Sequence, residues 1–173
     1  CAPPLLVAIT GASGAAYGAR LVQALARAGH TVDLMVSDGA RRVMKEELGL
    51  STARSASLAE LFGLGKEQSR RVRRFPPTDI GAPPASGTYA TRGMIICPAS
   101  MKTCAAIAHG YSDNLITRAA DVTLKEGRRL VVVPRETPFS VIHLRNLLAL
   151  AEAGATVLPA MPGFYHKPKS VED

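Results

Sequence analysis

Short apolar segments alternate with helix-forming stretches along the whole chain of 173 residues. The apolar runs are nearly continuous, as expected for strands that are buried on both faces of a parallel sheet. We predict strands at Leu5–Thr10, Thr31–Val36, Gly93–Cys97, Arg129–Val133 and Thr156–Leu158. Helices are predicted between them, at Ala15–Ala28, Gly39–Leu48, Asn114–Lys125 and Ser140–Ala153, and another opens at Ser100. This alternation predicts one three-layer α/β/α Rossmann-like domain, spanning 1–173, with a parallel sheet of about five strands.

One segment, residues 63–92, breaks this alternation because it is rich in Gly, Pro, Ser and Arg. Long connections of this kind are usually functional or disordered. We expect an excursion that lies over the active site or reaches toward a neighbouring subunit. At the end of the chain, Ser170 stands three residues before Asp173, which is the pattern that opens a helix. A terminal helix is therefore expected beyond Asp173.

The composition and net charge restrict the kinds of partner, compartment and cofactor that are expected for this chain. The net charge of +7 permits anionic partners. The basic cluster at Arg70–Arg74 has no aromatic-rich pattern beside it, so we interpret it as a solvated loop rather than a nucleic-acid site. No run of about 18 apolar residues occurs, so no transmembrane helix is expected. The three cysteines include no CxxC pair and the histidines show no metal spacing, which favours reduced thiols, a cytoplasmic location and no metal.

The loops after the first two strands carry residues suited to ligand binding, since parallel sheets bind ligands at the carboxyl ends of their strands. Gly11, Gly14 and Gly18 follow the first strand, but their spacing is not GxGxxG, so a dinucleotide fingerprint is not met. The loop fits a phosphate or flavin edge, or only a tight turn, and Ser13 is either a ligand donor or a helix cap. Ser37 follows the second strand, where NAD-binding proteins usually carry an acid, so NAD is disfavoured. Ser37 could bind a ribityl or ribose hydroxyl, or cap a helix.

The third and fourth strands are followed by charged and hydroxylated residues. Ser100, Lys102 and Thr103 open a helix, and hydroxyls, free amides and an ammonium group there form a phosphate cradle. Arg135 can bind a phosphate through two hydrogen bonds, and Glu136 beside it can act as a general acid or base. The alternative for these two is a surface ion pair. The prolines on both sides of them favour a positioned site, because a solvated pair does not need a stiff backbone.

Four motifs together resemble the flavin prenyltransferases of the UbiX type. They are "ITGASGAAYG", "PASMKT", "SDNLITRAADVTLKEGRRLVVVPRETP" and "PGFYHKP", and they cover nearly the whole chain in order. The resemblance implies a flavodoxin-like Rossmann fold in a homododecamer with sites at subunit interfaces. It also implies transfer of a dimethylallyl group from dimethylallyl phosphate to reduced FMN without a metal. The prenylated FMN then serves UbiD-type decarboxylases.

The resemblance also assigns roles to individual residues. The implied FMN ligands are Gly11, Ala12, Ser13, Ser37, Ser100, Met101, Lys102, Thr103 and Arg135. Ser13 would lie near the reacting nitrogen of the flavin, and Glu136 would manage protons as the phosphate departs. Lys125 and Tyr165, with Arg135, would hold the prenyl phosphate. Without the resemblance, Lys125 would be interpreted as a solvated charge at a helix end. Ala99 stands where many relatives have Cys, and the family takes another basic ligand from its terminal helix.

Three other functions stay open from the sequence. An FMN-dependent cysteine decarboxylase, such as phosphopantothenoylcysteine decarboxylase, shares the "PAS" start, but that class typically reads "PASANT" where this chain has "PASMKT". A non-catalytic FMN-binding or flavin-delivery protein is the second alternative. A basic nucleic-acid-binding protein is the third, and salt-dependent oligonucleotide binding would support it.

Overall fold

A single parallel sheet of six strands organises the fold. The computed structural model describes residues 2–50, 56–161 and 169. The strands are β1 (Leu5–Ile9), β2 (Val32–Val36), β3 (Val72–Arg74), β4 (Met94–Ala99), β5 (Leu130–Pro134) and β6 (Thr156–Val157). Their order across the sheet is β3-β2-β1-β4-β5-β6, and every neighbouring pair is parallel. The predicted three-layer Rossmann-like fold is confirmed, with one strand more than the sequence indicated. Tyr165 and the predicted helix start at Ser170 lie outside the described residues.

Helices cover both faces of the sheet. They are α1 (Ala15–Arg27), α2 (Asp38–Leu48), α3 (Leu58–Phe62), α4 (Lys66–Arg70), α5 (Met101–Ala108), α6 (Leu115–Lys125) and α7 (Val141–Glu152). Val7 and Ile9 face one cluster of buried residues, which α1 and α2 complete. Leu6 and Ala8 point the opposite way, into a second cluster shared with α5, α6 and α7. The alternation of side chains along a strand thus explains why nearly every residue of β1 is apolar. Within the described residues, no helix has the length and apolarity that crossing a bilayer requires.

Side-chain caps set the starts of four helices. The side chains of Ser37, Ser100 and Ser140 each accept a backbone amide hydrogen bond in the first turn of α2, α5 and α7. Asn114 caps α6 through a reciprocal pair of bonds with Thr117. These contacts satisfy amides that have no partner inside the helix. The predicted helix starts are therefore correct to within one or two residues.

The predicted excursion, residues 63–92, is too long, because α4 and β3 lie within it. The excursion is residues 75–92, which form part of the layer over one face of the sheet. It starts at the carboxyl end of β3, where the amide of Phe75 donates to the carbonyl of Leu34 at 2.9 Å. It returns at the amino end of the sheet, where the amide of Arg92 donates to the carbonyl of Pro4 at 3.0 Å. A short 3-10 helix within it, Pro83–Ala85, lies beside α6. The segment therefore serves as the crossover between β3 and β4, in place of the helix usual in such folds.

A buried carboxylate anchors this excursion to the sheet. Asp33, in β2, is fully buried. Arg73 donates to its Oδ1 at 2.7 Å, and the hydroxyl of Tyr89 donates to its Oδ2 at 2.7 Å. A buried carboxylate is tolerated only when it is paired and hydrogen-bonded, and both conditions are met here. The hydrogen bond to Asp33 is the main cause that raises the pKa of Arg73, while burial raises the pKa of Tyr89.

The basic cluster at Arg70–Arg74 is partly structural, so the interpretation as a solvated loop is wrong. Three of its residues form the edge strand β3. Arg73 pairs with Asp33, and Arg74 donates to the carbonyl of Ala56 at 2.5 Å. Arg71 donates to the carbonyl of Gly29 at 3.0 Å. These contacts fix the strand at the edge of the sheet and explain the basic run without a nucleic-acid partner.

Candidate active site at the carboxyl edge of the sheet

The loops that follow β1, β4 and β5 meet at the carboxyl edge of the sheet. The hydroxyl of Thr10 donates to the carbonyl of Pro98 at 2.9 Å and accepts from the amide of Ser100 at 2.8 Å. The amide of Arg135 donates to the carbonyl of Ala99 at 3.3 Å. β1 and β4 are adjacent in the sheet, and the strand order reverses between them. Doubly wound α/β folds bind their ligands at such a reversal, so the predicted site residues are gathered where the fold favours binding.

The start of α5 offers a site for an anion. The side chain of Ser100 accepts from the amide of Thr103 at 3.3 Å, and the two hydroxyl oxygens lie 3.0 Å apart. Met101 is buried against the core, whereas Lys102 is exposed. The first amides of a helix have no partner inside it and carry partial positive charge. Ser100 thus caps α5, and this cap leaves the geometry of a phosphate cradle in place.

The first loop approaches the start of α2 closely, so a side chain on Gly11 would be crowded by the backbone of Gly39. A Cβ on Gly11 would lie 3.2 Å from the Cα of Gly39. Ser37 stands between the two loops, where its hydroxyl accepts from the amide of Ala40 at 3.0 Å. Gly18 has a different reason to be glycine, because a Cβ there would lie only 2.5 Å from the backbone carbonyl oxygen of Cys97 and 3.0 Å from the side chain of Ile9. Gly11 therefore shapes the ligand edge, whereas Gly18 serves the packing of α1 on the sheet.

Glu47 occupies the amino end of α1, which the sequence alone did not reveal. Its Oε2 accepts from the amides of Gly14 at 3.0 Å and Ala15 at 2.9 Å. Partial burial raises the pKa of this carboxyl, but hydrogen bonds from Ser13 and the two amides, with the charge of Arg135, lower it on balance. The carboxylate thus binds where a phosphate would otherwise bind at this helix end. The start of α5 therefore remains available to an anionic ligand. Ser13 is held by its hydrogen bond to Glu47.

Arg135 and Glu136 project from the carboxyl end of β5 into solvent. Pro134 before them is buried, and both charged residues are exposed. The stem of Arg135 passes over Gly14, whose Cβ position lies 4.0 Å from its Cγ. The carboxylate of Glu136 accepts from the amide of Thr137 at 3.0 Å and makes no ion pair with Arg135. The alternative of a surface ion pair between Arg135 and Glu136 is therefore wrong. Arg135 instead faces the site, since its side chain lies beside Gly14 and its charge acts on Glu47.

Lys125 lies at the opposite edge of the sheet. It is the last residue of α6, and the chain enters β5 from its amino end five residues later. Its ammonium forms an ion pair with Glu126. Within one chain, the length of β5 thus separates Lys125 from Arg135, and each residue of that strand extends about 3.3 Å. Within this chain, Lys125 is therefore not among the predicted residues that meet at the carboxyl edge.

A cavity of about 250 Å³ opens beside the predicted site, at the carboxyl ends of β2 and β3. Its described lining includes Val36, Asp38, Arg74 and Phe75. None of the sequence-predicted ligands is among the described residues that line it, although Ser37 adjoins it in sequence. We place the site at the strand-order reversal instead, because the hydroxyls, amides and Arg135 converge there.

Comparison with known proteins gives a consistent result. The sequence model of the flavoprotein family matches residues 2–171. The flavin prenyltransferase UbiX of Alkalihalophilus pseudofirmus is 50% identical over 170 residues, covering 98% of this chain and 84% of that protein. The flavin prenyltransferase UbiX of Pseudomonas aeruginosa is 49% identical over 174 residues, covering 98% of this chain and 82% of that protein.

Solved structures show the same likeness. AnUbiX (PadA1), in complex with FMN and dimethylallyl pyrophosphate, superimposes with a TM-score of 0.86 at 41% identity and covers 99% of this chain and 85% of its own. A dodecameric FMN-dependent UbiX-like decarboxylase from Escherichia coli O157:H7 gives a TM-score of 0.85 at 44% identity, covering 98% of this chain and 86% of its own. A phosphopantothenoylcysteine-type (PPC) decarboxylase mutant reaches a TM-score of 0.67 at 20% identity, covering 93% of this chain and 84% of its own, which shows a shared fold alone.

Proposed function

The chain belongs to the UbiX-type flavin prenyltransferases of the flavoprotein family, and from this premise we propose that it transfers a dimethylallyl group from dimethylallyl phosphate to reduced FMN. The observation that carries the proposal is the gathering of Ser13, Ser100 and Arg135 at the carboxyl edge of the sheet. The product, prenylated FMN, would serve a decarboxylase of the UbiD type.

The residues at this edge fit FMN. We assign the phosphate to the amino end of α5, where Ser100, Lys102 and Thr103 stand beside Arg135. The backbone of Gly11 and Ala12 would pass close to the flavin, with Ser37 near the ribityl chain and buried Met101 beneath it. The two cations balance the charge of the phosphate, and the first amides of α5 donate hydrogen bonds to it.

Ser13 and Glu47 would orient the acceptor. Reduced FMN supplies the electron-rich ring atoms that accept the five-carbon unit. Glu47 accepts hydrogen bonds from Ser13, Gly14 and Ala15, so the hydroxyl of Ser13 is held in one position rather than free to rotate. A preorganised group at the reacting centre lowers the barrier because no reorientation is needed during the reaction.

Glu136 would transfer a proton as the phosphate departs. Phosphate is a poor leaving group for an allyl unit, so charge develops on its oxygen as the bond breaks. Arg135 and Lys125 would stabilise that charge, and Glu136 would protonate the phosphate and later take a proton during ring closure. The two prolines and the amide of Thr137 hold the carboxylate at the end of β5.

We propose that the working enzyme is a homo-oligomer, a dodecamer like the Escherichia coli protein. The residues after Glu136 support this assembly, since the exposed side of α7 is apolar. Its exposed side chains are Val141 at 63%, Ile142 at 68%, Leu144 at 53% and Leu148 at 59%. A large apolar patch on a protein surface marks an interaction site. Contact there would bring Lys125 of a neighbouring subunit to the site and exclude water from it.

A cytoplasmic location belongs to the same proposal. Cys97 and Cys104 are buried free thiols, and burial raises the pKa of Cys97 to about 11 and that of Cys104 to about 12. Such thiols stay protonated and suit a reducing compartment. Reduced FMN as a substrate has the same requirement.

The test is the mass of the bound flavin. The protein is mixed under anaerobic conditions with reduced FMN and dimethylallyl phosphate, and the flavin is then released and weighed. We expect a gain of one five-carbon prenyl unit in the wild type and its loss in Glu136→Gln. Glu152→Gln, an exposed carboxylate at the other end of α7, is the matched control and should keep full activity. Unmodified FMN in the wild type would overturn the proposal and favour a decarboxylase or a flavin carrier.

A further inference from the structure

The lysine assigned to the prenyl phosphate has a carboxylate beside it. Lys125 ends α6, and Glu126, the next residue, forms an ion pair with its ammonium. The side chains are 48% and 34% exposed, so both are within reach of a ligand. The hydrogen bond and charge of Lys125, with the charge of Arg128, lower the pKa of Glu126. The carboxyl is therefore ionised near neutral pH, and it offsets the charge that Lys125 presents.

The carboxylate of Glu126 lies close to the backbone of the excursion. A Cβ on Gly87 would lie 3.0 Å from the Nζ of Lys125 and 3.0 Å from the Cδ of Glu126. Arg128 clamps the same loop by donating to the carbonyl of Gly87 at 2.7 Å and to that of Tyr89 at 2.9 Å. Tyr89 is in turn bound to buried Asp33. Glu126 thus lies between the end of α6 and a loop that the sheet anchors.

We propose that Glu126 is a specificity-determining residue that favours a prenyl monophosphate over a prenyl diphosphate. This inference rests on the proposed function, because that function assigns the donor phosphate to Lys125. The carboxylate of Glu126 repels every anion that approaches Lys125, and the repulsion grows with the charge of the anion. A diphosphate brings about one more negative charge than a monophosphate and therefore meets the larger penalty.

The size of the effect follows from Coulomb's law. Two unit charges about 5 Å apart, at an effective dielectric constant between roughly 80 and 40, change an affinity on the order of fourfold to fifteenfold. Arg128 remains positively charged while its terminal nitrogens donate to the loop carbonyls, so it offsets part of this repulsion and the larger values are upper limits. Glu126 thus lies where it can discriminate between donors by their charge.

The experiment compares two donors in the FMN-loaded protein. Values of kcat/KM are measured anaerobically with dimethylallyl phosphate and with dimethylallyl diphosphate. The wild type should prefer the monophosphate, and Glu126→Gln should raise the diphosphate-to-monophosphate ratio about fourfold or more. Glu126→Asp keeps the charge and should keep the ratio. Glu67→Gln removes an equal charge from an exposed pair with Arg71 on α4 and should also leave the ratio unchanged.

A binding measurement separates this inference from the proposed function. Inorganic phosphate and pyrophosphate are titrated into the FMN-loaded protein by calorimetry, which needs no turnover. If the wild type makes no prenylated flavin, the proposed function fails, while a Glu126→Gln protein that gains affinity for pyrophosphate over phosphate still supports the role of Glu126. An unchanged ratio in Glu126→Gln, an equal change in Glu67→Gln, or no binding of either anion would overturn the inference.

Discussion

Replacing Glu47 by Gln tests whether its carboxylate holds the amino end of α1 and the hydroxyl of Ser13. The carboxylate accepts from the amides of Gly14 and Ala15 and from Ser13. Hydrogen bonds to a charged acceptor contribute about 1 kcal/mol more each than those to a neutral one. Glu47 is exposed, so water replaces part of this loss, and we expect Glu47→Gln to lower the free energy of unfolding by about 1–2 kcal/mol at pH 7.

The pH dependence of that difference identifies the cause. The pKa of Glu47 in the folded protein lies below its ordinary value of 4.5. Its contribution to stability is thus fully present above that value and is lost as the pH falls through the lower, folded pKa. Urea unfolding of both proteins, at one protein concentration, should show a difference that is constant near neutral pH and shrinks toward zero in acid.

The reasoning about Glu47 has two further checks. Glu46→Gln is the control, because Glu46 pairs only with Arg42 on the exposed side of α2, and it should change stability by less than about 0.5 kcal/mol. Freeing Ser13 should lower kcat for prenyl transfer about tenfold to a hundredfold in Glu47→Gln. A stability difference that persists unchanged in acid, or a kcat equal to that of the wild type, would refute this account of Glu47.

Three further predictions concern the fold and the assembly. Gly18→Ala should lower the free energy of unfolding by about 1–3 kcal/mol, because the new Cβ would press on the carbonyl oxygen of Cys97 and on Ile9; an unchanged urea midpoint would contradict this packing. Asp33→Asn should destabilise by about 2–3 kcal/mol in the same assay, and Tyr89→Phe by about 1 kcal/mol; equal effects would show that the pair with Arg73 adds nothing. Leu148→Glu should break the oligomer in light-scattering measurements, and an unchanged mass would place the subunit contact elsewhere.

The sequence predicted the central strands well because burial on both faces demands continuous apolar runs. Leu5–Ile9 and Val32–Val36 lie within the predicted ranges. β3 was missed because an edge strand has a solvated side, and this one exposes Arg73 and Arg74. Its pairing depends on Asp33, which is distant in sequence, so no local pattern marks it.

The site was predictable where it follows strand ends and unpredictable where it depends on tertiary contacts. Ser37, Ser100 and Arg135 follow buried strands, so their shared edge could be foreseen. Glu47 lies near the end of a polar helix, where the sequence indicates only a solvated charge. Only the packing of α2 beside α1 brings it to Gly14. Lys125 was recognised through the resemblance alone, and the sequence did not indicate that it lies at the far edge of its own sheet.

The central claim is that each site combines Glu136 of one subunit with Lys125 of another. The most direct measurement mixes two variants, Lys125→Ala and Glu136→Gln, by co-expression and weighs the flavin formed from reduced FMN and dimethylallyl phosphate. Each variant alone should be inactive. In a randomly mixed oligomer, about one quarter of the sites would pair an intact Glu136 with an intact Lys125, so we expect about a quarter of wild-type activity. A mixture as inactive as its components would show that both residues act within one chain and would contradict the account.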